Sequence, residues 1–136
     1  MDIFGDLRDW GRVLGLIEGT RKDDRLDEHQ EGLARILRYL DNWRLREAVL
    51  ECFQNVRSPS PELVSAVLAI LLDQNVYCDA RVLSASALGC LADRTGGGAG
   101  LDRNEILEKL RDVLNTPQVP VLNNAVKQAL ARLSKG

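Results

Sequence analysis

The stretch Ala80 to Leu91 constrains the fold more than any other feature, because its pattern returns 35 residues earlier, at Leu45 to Val56, and 42 residues later, at Leu122 to Leu133. The first two copies open apolar-Arg, as Leu45-Arg46 and Ala80-Arg81, and all three place small or apolar residues at the fourth and fifth positions. A small residue then an apolar one follow at the eighth and ninth: Cys52-Phe53, Ala87-Leu88 and Ala129-Leu130. Self-similarity at this period belongs to chains built from one supersecondary unit that buries its apolar face by stacking on its neighbours. The segments before the motif match as well, since a shift of 42 lays Val64 on Ile106, Leu68 on Leu110, Leu71 on Val113 and Leu72 on Leu114. The seven residues by which the two intervals differ fall between Leu91 and Ile106, which marks the glycine-rich Thr95 to Gly100 as an insertion.

Apolar periodicity divides the chain into seven helices. Ile3, Leu7, Trp10, Val13, Leu14 and Ile17 recur at steps of three and four and predict a first helix over Ile3 to Ile17, ended by Gly19-Thr20, with Trp10 on its core face. A second helix is predicted over Asp27 to Leu40, with Asp27 as N-cap and Leu33, Ile36, Leu37 and Leu40 inward. A third follows from Trp43 to Val56, and Ser58-Pro59-Ser60-Pro61 breaks the chain, since each proline lacks an N–H and disfavours helix in the residue before it. The remaining helices are predicted over Pro61 to Asp73, Cys78 to Asp93, Arg103 to Leu114 and Val119 to Leu133. No segment alternates as a strand does.

Composition bears mainly on what the chain is not. Aromatics are 4% and hydrophobic residues 45%, so the core must be aliphatic. The net charge of -2 is spread along the chain, without the concentrated basic patch that neutralises phosphates. Cys52, Cys78 and Cys90 are odd in number and lack metal or redox spacing, which fits packing residues with reduced thiols in the cytoplasm. The first residues lack the pattern of a signal peptide, and no apolar run approaches the ~20 residues of a membrane span. His29 is the only histidine and falls on the polar side of its helix, so no Ser-His or Cys-His pair can be assembled. The glycine insertion lacks the Lys-Ser/Thr of a phosphate loop. No catalytic residue, metal ligand or cofactor-binding residue is expected, and the chain is read as not an enzyme.

With Arg46 and Arg81, Leu88-Gly89, and the small residues Ala87 and Ala129 in place, the motif resembles that of the HEAT repeat family, including its short bacterial type, Val-Arg-x-Ala-Ala-x-x-Ala-Leu-Gly-x-Leu. Asn123 for the arginine and Gln54 for the glycine depart from it. The resemblance implies an all-α, right-handed α-solenoid of stacked antiparallel helix pairs. Residues 1–26 would form an N-terminal cap helix and connector, 27–57 the first repeat, 58–94 the second, 95–101 the inserted loop, and 102–136 the third repeat and C-terminal cap. It further implies that Arg46 and Arg81 tie adjacent repeats together by pairing with turn acids, for which Asp41, Asp73 and Asp79 are the candidates. The sixth motif position runs Leu50, Ala85, Lys127 and the second Arg46, Arg81, Asn123, so the face they share is wholly polar and without the arginine only in the last copy, which is the expected behaviour of a terminal cap.

Motif positions three, seven and eleven are the ones the core leaves free: Glu47, Glu51 and Asn55, then Val82, Ser86 and Cys90, then Asn124, Gln128 and Arg132. Stacked, they would line the concave face that repeat arrays use for binding. The expected role is a non-catalytic adaptor that binds another protein through Trp43, Glu47, Glu51, Ser86 and Gln128. Two alternatives are nucleic-acid binding through Lys109, Arg111, Lys127, Arg132 and Lys135, and service as an accessory subunit of a cofactor-handling enzyme.

Overall fold

The computed structural model describes residues 2–93 and 103–134, and these are helical with no strand. Seven α-helices follow in order: α1 Trp10–Lys22, α2 Gln30–Leu37, α3 Trp43–Cys52, α4 Pro61–Leu72, α5 Cys78–Gly89, α6 Arg103–Leu114 and α7 Pro120–Ser134. Short 3-10 turns at Leu26–His29, Phe53–Asn55 and Cys90–Asp93 precede α2 and extend α3 and α5. The glycine-rich insertion at 95–101 and Lys135 lie outside the described residues. No helix among the described residues is long and apolar enough to cross a membrane.

Local chemistry sets the helix starts. Asn42 caps α3, its side-chain oxygen accepting from the N–H groups of Arg44 and Leu45 at 3.0 and 3.4 Å. Ser60 caps α4 by accepting from Leu63 N–H at 3.1 Å, with Pro61 at the first helical position, where its missing N–H costs nothing. Packing then runs α1 on α3, α3 on α5 and α5 on α7 along one series, and α2 on α4 and α4 on α6 along another. The pairs α2 with α3, α4 with α5 and α6 with α7 join the two series. The core is aliphatic apart from the buried rings of Phe4 and Phe53, with the motif's first position (Leu45, Ala80, Leu122) and eighth position (Cys52, Ala87, Ala129) buried throughout. Small residues allow this close approach: a Cβ on Gly89 of α5 would lie 3.4 Å from the Ala129 Cα of α7.

The N-terminal segment departs from the periodic prediction. Helix α1 starts at Trp10 rather than Ile3, and it runs through Gly19-Thr20 to Lys22. Residues 2–9 are instead an irregular strap over α2, because Gly5 takes a left-handed φ of 61° that a helix cannot contain. Phe4 is fully buried against Gly32, where an added Cβ would lie 2.5 Å from Phe4 Cδ2. Arg35 holds the strap by an ion pair with Asp2 and by donating to the Gly5 carbonyl at 2.8 Å, and Arg12 donates to the Phe4 carbonyl. Trp10, at the first turn of α1, is 47% exposed rather than on the core face, since the strap supplies Phe4 and Leu7 in its place.

Three further expectations are corrected. Leu40 lies beyond the end of α2 and is exposed rather than inward. Asp27 is not an N-cap: its carboxylate accepts from the N–H groups of Arg57 and Ser58, both at 2.8 Å, and so pins the loop before α4 to the turn before α2. His29 is half-buried with its Nδ1 shielded from solvent and without a partner, rather than on a solvated face.

The strap makes stability depend on acid. The Arg35 hydrogen bond holds the Asp2 carboxyl below its ordinary value of 3.8, against a smaller opposing effect of burial. A carboxyl lowered by folding contributes stability that is present above its unfolded value and lost as pH falls through its folded one. Thermal melts of wild type are therefore expected to lose a contribution between about pH 5 and pH 2 that Asp2→Asn lacks, with Asp2→Asn the less stable protein at pH 7. Parallel melting curves for the two proteins over that range would contradict this.

Candidate functional site

The turns that precede α3 and α5 bring distant residues to one edge of the fold. Trp43 opens α3 and is 54% exposed, and Tyr77, the residue before α5, is 37% exposed. Their ring centroids are 6.2 Å apart with the planes at 80°. The Tyr77 hydroxyl donates to Glu47 Oε2 at 2.6 Å, which fixes the carboxylate one turn along α3 from Trp43. Partial burial, and then this hydrogen bond, push the phenol well above its ordinary range, so it stays protonated and a donor at neutral pH. Trp43, Glu47, Tyr77 and Asp79 line a cavity of about 300 Å³. On the other side of the same turn the Arg44 guanidinium lies over two rings, 5.8 Å from the Trp10 centroid and 5.9 Å from that of Trp43.

The five residues singled out from the sequence do not form one site. Trp43 and Glu47 converge as described. Glu51 is exposed on α3 but lines a separate groove against α1, with Leu14, Ile17, Glu18, Arg21 and Asn55 among its walls. Ser86 on α5 and Gln128 on α7 are exposed, on neighbouring helices, and neither lines the Trp43 cavity. Val82, expected to be free, packs half-buried against the core. Tyr77 and Asp79 were left out of the sequence-based set, although a signal existed: in motif register Tyr77 matches Val119, and both stand exposed three places before a copy begins.

Of the two motif arginines, Arg81 bridges elements, but not through an acid. Arg81 is buried, donating from Nε to the Leu71 carbonyl at 2.9 Å and from Nη1 to Gln118 Oε1 at 3.3 Å, so it joins the end of α4 to the turn before α7. Arg46 is buried to the same degree, and its Nε has no hydrogen-bond partner. Neither pairs with Asp41, Asp73 or Asp79 among the described residues, and Arg81 meets the helix-end carbonyl of Leu71 instead.

Other titratable groups offer little chemistry. Burial pushes the Cys52 thiol up to about 11, which leaves it protonated and unreactive at neutral pH. No cluster of His, Cys, Asp and Glu among the described residues has the arrangement to hold a metal ion. Of the basic set, Lys109 is half-buried, Arg111, Lys127 and Arg132 are exposed, and α6 and α7 contain no aromatic residue. No protein-family model, curated protein or solved structure matches the chain.

Proposed function

We propose that the chain is a cytoplasmic, non-catalytic adaptor of the HEAT-like kind, a right-handed α-solenoid of three helix pairs that binds another protein. In this reading the first repeat is 27–57, the second 58–94 and the third 102–136, with residues 1–26 closing the N-terminal end and Asn123 and Lys127 making the last repeat's outer face polar. The observation that carries the function is the Trp43, Glu47 and Tyr77 rim. Of six aromatic residues in the chain, three are large rings held exposed along one edge, Trp10, Trp43 and Tyr77, while only Phe4 and Phe53 are buried in an otherwise aliphatic core. Rigid aromatic anchors beside a fixed carboxylate are the groups that dominate binding energy at protein interfaces.

This places the binding surface on the edge formed by the turns, with Glu51 a secondary contact on the neighbouring groove and Ser86 and Gln128 peripheral. The basic C-terminal end is the weaker reading, because it has no ring on which a base could stack. Glu47→Lys combined with Glu51→Lys is expected to lower recovery of the partner in affinity purification, while the melting temperature shifts by only about 2–4 °C, the effect of roughly 1 kcal/mol at this size. Equal recovery by wild type and variant would remove these residues from the interface.

A further inference from the structure

We propose that the cavity between Trp43 and Tyr77 receives the ammonium group of a lysine side chain on the protein partner. This rests on the adaptor reading and names the chemistry of what that surface binds. The cavity, about 300 Å³, has two aromatic walls at 80° to one another and two carboxylates, Glu47 and Asp79. A cation is attracted to the faces of both rings, and the carboxylates add charge attraction. Among the described residues no cation pairs with either carboxylate. The two guanidiniums nearby do not fill it: Arg46 is buried and Arg44 lies over Trp43 toward Trp10, so Glu47 and Asp79 are the charged groups that line the cavity itself.

The same edge already holds a cation in this manner, since Arg44 lies over Trp10 and Trp43. Geometry favours ammonium over guanidinium in the cavity itself. A planar guanidinium stacks on one ring, and with walls nearly perpendicular it cannot lie flat on both. An ammonium is compact, meets two orthogonal faces equally, and has three N–H donors to share between Glu47 and Asp79. The Tyr77 hydroxyl occupies one oxygen of Glu47 and fixes the carboxylate's position before a ligand arrives.

The test is a titration of the full ¹⁵N-labelled chain, following the Trp43 indole N–H, with Nα-acetyl-lysine methylamide, its arginine counterpart and its uncharged norleucine counterpart. The lysine probe is expected to give a saturating shift at concentrations up to about 20 mM, with norleucine at least fivefold weaker. Glu47→Gln is expected to weaken lysine binding about fivefold, and Tyr77→Leu, which removes a wall and leaves both carboxylates, about threefold or more. Equal binding of norleucine, tighter binding of arginine than lysine, or no shift with lysine would each overturn the proposal. Partner recovery that depends on Glu47 and Glu51 while the lysine probe fails would retain the adaptor and refute the ammonium. A selective lysine probe with no partner recovered by wild type would do the reverse.

Discussion

Phe4→Ala is expected to destabilise the protein by about 3–5 kcal/mol, a large part of the roughly 5–15 kcal/mol that holds a domain folded. Phe4 is fully buried although it belongs to no helix, and its ring covers the glycine face of α2. Removing it opens a cavity and also loosens the strap, whose other ties include the Asp2 and Gly5 contacts of Arg35, the Arg12 bond to the Phe4 carbonyl and buried Leu7. Gly32→Ala approaches the same contact from the other side. It gains about 1 kcal/mol of helix propensity, yet the new methyl would sit 2.5 and 2.8 Å from two ring carbons of Phe4 and 2.9 Å from an Asp2 oxygen. The net effect is expected to be destabilising in the wild-type background and close to neutral or favourable once Phe4 is alanine, because the ring clash is then gone and the remaining contact is with the end of the Asp2 side chain, which can shift. Urea melts of the two single variants and the double variant measure this coupling, and strict additivity would refute the strap as described.

The ninth motif position gives the second large effect and separates the second copy from the last. Leu88 of α5 is fully buried, and α5 is the helix packed against α3, α4 and α7. Leu88→Ala is therefore expected to cost about 2–5 kcal/mol, with the upper part of the range reached because neighbours on several sides cannot all collapse into the cavity. Leu130, its counterpart in α7, is only half-buried, and Leu130→Ala should cost about 1 kcal/mol. Ser86→Ala, on the exposed face of the same helix as Leu88, should stay within about 0.5 kcal/mol. Denaturant melts that place Leu130→Ala at or above Leu88→Ala would contradict a central copy flanked on both sides and a terminal copy open on one.

Helices α3 to α7 are legible in the sequence as apolar-periodic segments between breaks, although α3 and α5 end at Cys52 and Gly89, with 3-10 turns in place of the α-helix predicted to Val56 and Asp93. Asn42 and Ser60-Pro61 each act within one turn at the starts of α3 and α4, and the motif shows which residues of α5 and α7 turn inward. The first helix was misplaced because Ile3 and Leu7 are compatible with helical spacing, whereas the decisive features are not periodic. A left-handed Gly5 and a Phe4 that finds Gly32 across the fold leave no local pattern. The site was half legible. Trp43 declares itself as an aromatic at a helix start in a chain poor in aromatics. Its partnership with Tyr77 and the Tyr77 bond to Glu47 join residues thirty or more apart, so only a repeat overlay at the turns could have suggested them. The arginine pairing misled for a similar reason: spacing places an arginine near a turn but does not say whether a carboxylate or a helix-end carbonyl meets it first.

What distinguishes a binding rim from a packing feature is whether it can be altered without altering the fold. Once affinity purification has supplied a partner, its dissociation constant should be measured for wild type and for Glu47→Lys with Glu51→Lys, with melting temperatures taken on the same samples. The adaptor reading predicts binding at least tenfold weaker, about 1.4 kcal/mol, at a melting temperature within about 4 °C of wild type. An unchanged dissociation constant, or a loss of binding that only accompanies unfolding, would contradict it.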